Sequence, residues 1–241
     1  MNKEMKVSDA IKYRRSVRIF DKKNIDSEKV KNCIVNASLA ANSSNLQLWE
    51  FVHVENKKIL KKLSNACFNQ NAAKTANQMV VVVVRKDLWK ERAKWNIKQI
   101  NKQLNENDIT IKRLNQAKTY YNKIIPTLYF DLFGILGFLK NLIFQTIGLF
   151  RPTMRQVTRT DTRIVAHKSA ALAAQNFMIS MAGFGYDTCP MEGSDTLRVK
   201  KILNLNKKAE ISMVIACGLR TEKGIYGEQL RVPFDKIYTY I

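Results

Sequence analysis

The sequence predicts an α+β fold in a single domain, and three observations carry that prediction. "MVVVVVR" (Met79 to Arg85) holds an unbroken run of valines, which suits a central strand buried on both faces. "SAALAAQNFMISMAG" (Ser169 to Gly183) is rich in small and apolar residues, so it suits a helix buried almost all round that allows close packing. No internal repeat or low-complexity linker interrupts the 241 residues, a length that fits one domain or two small ones.

The elements follow in order. Ser8 to Arg15 is expected as a short helix capped by Ser8. Asp26 or Ser27 opens a longer one, along which Val30, Ile34, Ala37 and Ala41 recur at helical spacing. "WEFVHV" (Trp49 to Val54) is the first strand and the valine run the second. From Asp87 to about Lys123 the chain is polar, with Trp95, Ile100 and Leu104 at loose helical intervals, which gives one or two exposed helices. After the small-residue helix come a helix opening at Ser194 or Asp195 and a strand at "ISMVIACG" (Ile211 to Gly218).

"IIPTLYFDLFGILGFLKNLIFQTIGLF" (Ile124 to Phe150) is long enough for a helix to cross a bilayer, for which about 20 apolar residues suffice. Asp131 and Lys140 would each cost about 2.5 to 3.5 kcal/mol near a membrane centre, and Pro126, Asn141 and Gln145 add to the difficulty. Three readings stand: packing in the core or at a subunit interface, a helix lying on a membrane surface, and a true span. Arg151, Arg155, Arg159 and Arg163, just beyond, would suit anionic lipids, so peripheral membrane contact through 124–163 is one expectation.

The formal charge of +21 favours anionic partners. Much of the excess is lysine scattered singly, with no basic stripe interleaved with aromatics, so nucleic acid is not an expected partner. Cys33, Cys67, Cys189 and Cys217 form no C-x-x-C pair, and His53 and His167 have no partner at ligand spacing, so no metal site is expected. "MNKEMKVSDA" does not read as a signal peptide, and a cytoplasmic location with reduced thiols is the expectation.

"YRRSVRIF" (Tyr13 to Phe20) concentrates Arg14, Arg15 and Arg18 around Ser16. A guanidinium is a planar fork of donors that fits phosphate oxygens two at a time, so the stretch raises a phosphate site, against the plainer reading of a solvated helix end. Beside "NSSNLQLW" (Asn42 to Trp49) and "CPMEGSD" (Cys189 to Asp195), in that order and at those intervals, it resembles the nitroreductase family of FMN-dependent oxidoreductases. The resemblance runs from about Val7 to Ile237, with the middle from Asp87 to Thr160 unmatched. Leu48 stands where the family usually has proline, and Gln229 where a basic residue is common.

The resemblance implies a three-layer α/β/α fold with a central, mainly antiparallel sheet and FMN at a dimer interface. Arg14, Arg15 and Ser16 match the group on the FMN phosphate and ribityl chain, Arg18 the basic residue at the pyrimidine edge, and Arg231 a late arginine on the phosphate. Ser43, Ser44, Asn45 and Gln47 match a stretch that reaches the partner's FMN, hence a homodimer. Pro190, Met191, Glu192 and Gly193 match the turn against the isoalloxazine ring, with the backbone amide near Glu192 on flavin N5, and Asn69 matches a ring contact. The implied reaction passes hydride from NAD(P)H through N5 to a nitroaromatic, quinone or similar acceptor by a ping-pong route. No G-x-G-x-x-G stretch follows a strand, so no separate nicotinamide domain is expected. No side chain stands out as a general acid or base. Residues 87–160 are expected to form a variable lid or dimer arm within one domain spanning 1–241. Two alternatives are an FMN-dependent dehalogenase or dehydrogenase, and a basic non-enzymatic protein that binds nucleotides or membranes.

Overall fold

The valine run becomes the axis of the molecule. In the computed structural model, which describes residues 4–105, 110–131 and 135–241, four strands pair in the order β1-β2-β4-β3, each neighbour antiparallel. They are β1 (Trp49–Val54), β2 (Gln78–Val84), β3 (Asp187–Met191) and β4 (Glu210–Gly218). Parts of three stretches discussed above, 1–3, 106–109 and 132–134, lie outside the described residues. Every residue of β2 is buried, and successive side chains alternate between two cores. Val80, Val82 and Val84 join one cluster, while Met79, Val81 and Val83 join the other.

Each core is roofed by helices, which makes three layers. On one face lie α2 (Ser27–Ser38) and α9 (Arg159–Gly183), whose Ala170, Ala173, Ala174 and Phe177 are fully buried. On the other lie α3 (Lys57–Ala66) and α10 (Thr196–Ile202), contributing Leu60, Leu63 and Val199. Asp26 caps α2 by accepting from the Glu28 N–H at 2.9 Å, and Asp195 caps α10 by accepting from Arg198 N–H at 3.0 Å. The helix α9 opens earlier than the small-residue stretch, at a capping box in which Thr158 and Asp161 satisfy each other's backbone N–H. The first helix, α1, runs Val7–Tyr13 with Lys6 at its N-cap, so Ser8 sits inside the first turn and caps nothing.

In the polar stretch, α5 (Trp89–Asn105) and α6 (Ile111–Thr119) lead through a π-helical turn at Tyr120–Ile124 into α7 (Ile125–Tyr129). Ile125 and Tyr129 enter the α2–α9 core, so core packing holds for this part of the apolar segment. The segment is broken after Tyr129, and Asp131 turns its carboxylate onto the backbone N–H of Gly137 in α8 (Ile135–Phe150) at 2.9 Å. Among the described residues no helix is long and apolar enough to cross a membrane.

Candidate functional site

Backbone pairing brings the arginines of the N-terminal stretch to the edge of the sheet. Ser16 bridges Thr188 of β3, the Val17 N–H donates to the Thr188 carbonyl at 3.1 Å, and the Arg18 N–H donates to the Gly224 carbonyl at 2.7 Å. Val17 and Phe20 are buried and anchor the stretch, leaving Arg14, Arg15 and Arg18 half-exposed. The approach is close: a Cβ on Gly224 would stand 2.6 Å from the Ile19 carbonyl oxygen, so glycine is required there.

Charge accumulates at this edge. Burial pushes the Arg14 guanidinium below its ordinary value, and the neighbouring Arg231 and Arg15 push it further the same way. Arg18 and Arg14 both act on Cys189 in β3, where burial raises the thiol and the two cations partly offset the rise. Among the described residues none of these four arginines is in an ion pair. Arg15 donates to the Gly227 carbonyl at 2.9 Å and Arg231 to the Leu230 carbonyl at 2.7 Å, neither of which cancels a charge. The arrangement suits a multivalent anion.

Pro190 and Met191 are not in a turn. They end β3, which as an edge strand tolerates proline, and only Glu192 and Gly193 leave the sheet. The Gly193 carbonyl accepts from Gln70 Nε2 at 2.8 Å. Gln70 follows Asn69, whose left-handed backbone (φ 51°) is held by an N–H bond to the Ser64 carbonyl at 2.9 Å. Asn71 of α4 (Asn71–Thr75) donates to the Tyr226 hydroxyl at 3.1 Å, next to the carbonyl that Arg15 holds. Asn69, residues 190–193 and the arginines thus gather along the β3 edge of the sheet. Gln70 and Asn71 went unflagged in the sequence reading, although they adjoin Asn69.

Past the end of β3, a cavity of about 340 Å³ is lined by Glu192, Ser212, Met213 and, from α9, Arg163, His167 and Ala171. Ser212 is the residue left over where the β2–β4 register shifts between Val82 and Val83. Glu210, nearby, accepts from Arg163 and hydrogen-bonds His167 Nε2 at 3.2 Å. Burial pushes the Glu210 carboxyl up, but these two partners outweigh it and hold the group below its ordinary value.

The stretch from Ser43 to Gln47 is elsewhere. Ser44, Asn45 and Gln47 all take left-handed backbones, with φ of 57°, 48° and 47°, a strain of about 1 to 3 kcal/mol each that surrounding bonds must hold. Ser44 Oγ bonds the Tyr120 hydroxyl at 2.7 Å, its carbonyl accepts from the Tyr121 hydroxyl at 3.0 Å, and the Asn45 carbonyl accepts from Asn96 Nδ2 at 2.8 Å. Tyr120 and Tyr121 stand on the π-helical turn, a feature often tied to function. Sequence reasoning missed all three partners, because only the tertiary fold brings them to the loop. The Ser43 N–H meets Ser169 in mid α9, whereas Tyr13, one residue before Arg14, meets Gly185 just past its end. At 1.5 Å per residue, about 20 Å of helix separates the strained loop from the arginines.

Comparison with known proteins returns one answer. The sequence model described as "Nitroreductase family" matches residues 11–219. "Protein DrgA" of Synechocystis sp. is 24% identical over 219 residues, covering 90% of this chain and 86% of that protein. "Putative NAD(P)H nitroreductase SERP2086" of Staphylococcus epidermidis is 25% identical over 242 residues, covering 98% and 96%. Among solved structures, a "putative nitroreductase in complex with FMN" from Exiguobacterium sibiricum superposes with a TM-score of 0.70 over 100% of this chain and 99% of that one. Its identity of 17% makes this a likeness of fold.

Proposed function

The chain belongs to the nitroreductase family, and from that premise we propose that it is an FMN-dependent NAD(P)H oxidoreductase acting on a nitroaromatic, quinone or similar acceptor from a site shared by two protomers. The observation that carries this is the convergence of Arg14, Arg15 and Arg231, none of them in an ion pair among the described residues, a cluster that a phosphate ester would neutralise. When bound, FMN supplies hydride transfer at N5, from the nicotinamide in one half-reaction and to the acceptor in the next.

The chain's own residues bind and orient. Arg14, Arg15, Ser16 and Arg231 hold the phosphate and ribityl chain. Arg18 would supply a fixed positive charge at the pyrimidine edge of the ring, which would favour its reduced form. Pro190 and Met191, held in β3, would form a rigid wall and the Glu192 backbone amide would donate to flavin N5, with Gly193 steadied by Gln70 and Asn69 by the Ser64 carbonyl. The net charge of +21 draws in the anionic nicotinamide cofactor. No side chain is assigned as a general acid or base.

Ser43, Ser44, Asn45 and Gln47 complete the site of a second copy, since about 20 Å of helix keeps them from the arginines of their own. The exposed apolar side chains of Leu230, Val232, Phe234 and Ile237 also favour a homodimer that covers them. Residues 87–160 act as the variable arm that sets acceptor choice, and the four buried free thiols suit a cytoplasmic chain. Nothing in this chemistry requires the membrane contact expected of 124–163.

The test is the visible spectrum of the purified protein, acid release of its chromophore, and two-substrate kinetics. Stoichiometric FMN with parallel double-reciprocal lines for NADH or NADPH against quinones and nitroaromatics is expected. A colourless protein that takes up no added FMN would overturn the proposal, and turnover of halotyrosines alone would move it to the dehalogenases.

A further inference from the structure

Helix α8 leaves much of its apolar surface exposed. Ile135, Phe138, Leu139, Leu142, Ile143 and Leu149 recur at helical spacing and are all exposed, Phe138 at 69% and Leu149 at 75%. The half-buried side mixes Leu136, Phe144 and Ile147 with the polar Lys140, Asn141 and Gln145. Lys140 donates to the Phe130 carbonyl, Gln145 donates to Asn141 Oδ1 at 3.2 Å and accepts from Arg155 at 2.7 Å, and Asp131 accepts from the Gly137 N–H. The polar groups are therefore satisfied inward, and the apolar stripe is held outward by design of the contacts beneath it. Among the described residues no other element packs extensively on this helix. A contiguous outward stripe of this size marks an interaction surface.

We propose that α8 docks in the plane of an anionic lipid bilayer. Its 16 residues span about 24 Å, too short to cross about 30 Å of hydrocarbon. A single convex helix offers no groove to a folded partner, whereas a bilayer takes it up without a complementary shape. The charges beside the stripe select the sign of the surface. Arg151 follows its C-terminal end, Arg155 lies beside Gln145 and Gly148, and Arg159 lies beside Gly137, all exposed and none in an ion pair among the described residues, while Arg163 is paired with Glu210, Asp131 is engaged on Gly137 and Asp161 in the α9 capping box. A second copy would bring more arginines and no free carboxylate to this patch; phosphate headgroups bring the opposite charge.

The docking also has a direction. The start of α9 lies against Gly137, where a Cβ would stand 3.4 Å from the Arg159 backbone nitrogen, and one turn further on Arg163 lines the cavity that holds Glu192. The helix thus sets the cavity close to the membrane surface, where apolar acceptors dissolve.

The experiment is sedimentation with vesicles of phosphatidylglycerol mixed with phosphatidylcholine, or of phosphatidylcholine alone, at low and high salt, with molar mass from light scattering. Binding to anionic vesicles that falls with salt is expected, with little binding to neutral ones. The double substitution Phe138→Glu, Leu142→Glu should weaken partition at least about tenfold while leaving FMN content and molar mass unchanged. Failure of the wild-type chain to bind, or equal binding to neutral vesicles, would overturn the proposal. So would a fall in molar mass in the variant, which would show that a second copy covers the stripe. FMN content is read separately, so failure here leaves the flavin reading untouched.

Discussion

The carboxylate of Asp187 is buried beneath Arg220, accepting from its Nε at 2.8 Å and from its backbone N–H at 2.7 Å. The same guanidinium donates to the Tyr13 carbonyl at 3.3 Å and lies 4.0 Å from the centre of the Tyr13 ring. One ion pair thus joins the end of α1, the start of β3 and the chain leaving β4, which are the segments that carry Arg14, Cys189 and Arg231.

Removing Arg220 should therefore unfold more than a surface contact would. The Asp187 side chain is only 2% exposed, and a buried charge left without its partner costs about 3 to 5 kcal/mol. Urea denaturation of Arg220→Ala should show a loss of that order, with a smaller loss for Asp187→Asn, which leaves no uncompensated anion. A loss under about 1 kcal/mol for Arg220→Ala would mean water reaches the carboxylate freely.

Arg14→Met should separate binding from stability. The substitution keeps the apolar stem and removes a cation that Arg231 and Arg15 already oppose, so the FMN-free chain should keep its thermal stability. FMN affinity, followed by flavin fluorescence, should fall by about 1.5 to 3 kcal/mol, roughly 10- to 150-fold. Unchanged affinity would place the phosphate elsewhere.

A shared site permits complementation. Ser44→Val puts a β-branched residue on a left-handed backbone and should spoil the 43–47 loop, while Arg14→Met spoils the arginine cluster. Each homodimer should bind FMN poorly. A co-purified mixed dimer should recover half the wild-type sites, because one of its two sites keeps both halves intact. No recovery would confine each site to a single chain.

Glu210 makes a prediction about acid. Its carboxyl is held below its unfolded value, so its contribution is present above about pH 4.5 and is lost as pH falls through the depressed folded value. Glu210→Gln should flatten the acid limb of the melting temperature between about pH 5 and pH 3. An unaltered limb would show that His167 and Arg163 do not favour the ionised form.

What the sequence revealed depended on how local each signal was. The valine run of β2 was legible because a buried strand needs only its own side chains, and Arg14, Ser16 and Arg18 because they sit within five residues of one another. Pro190 hid the end of β3 by suggesting a turn, since nothing local shows that the strand lies at an edge. The helix α3 stayed unread because lysines surround its short stripe of Ile59, Leu60 and Leu63. Tyr120, Tyr121 and Asn96 meet Ser44 and Asn45 only after folding, across 51 to 77 residues. In α8 the apolar content was plain, but which side faced outward was set by Asp131 and Arg155, outside the helix.

The uniformity of β2 leaves a problem of alignment. Sliding the strand by one position would exchange valine for valine at most places in both cores, so burial alone penalises the error weakly. The polar ends do not slide. Gln78 reaches the Ile25 carbonyl at 3.1 Å, Ser27 Oγ at 2.9 Å and His53 at 2.7 Å, and Arg85, just past the other end, pairs with Glu50 at 2.7 Å and Asp87 at 3.0 Å. A one-residue slip would strand both sets at once, leaving a buried amide and a guanidinium without partners. The middle of the sheet can therefore be chemically monotonous, because the residues that close it at either end act as its reading frame.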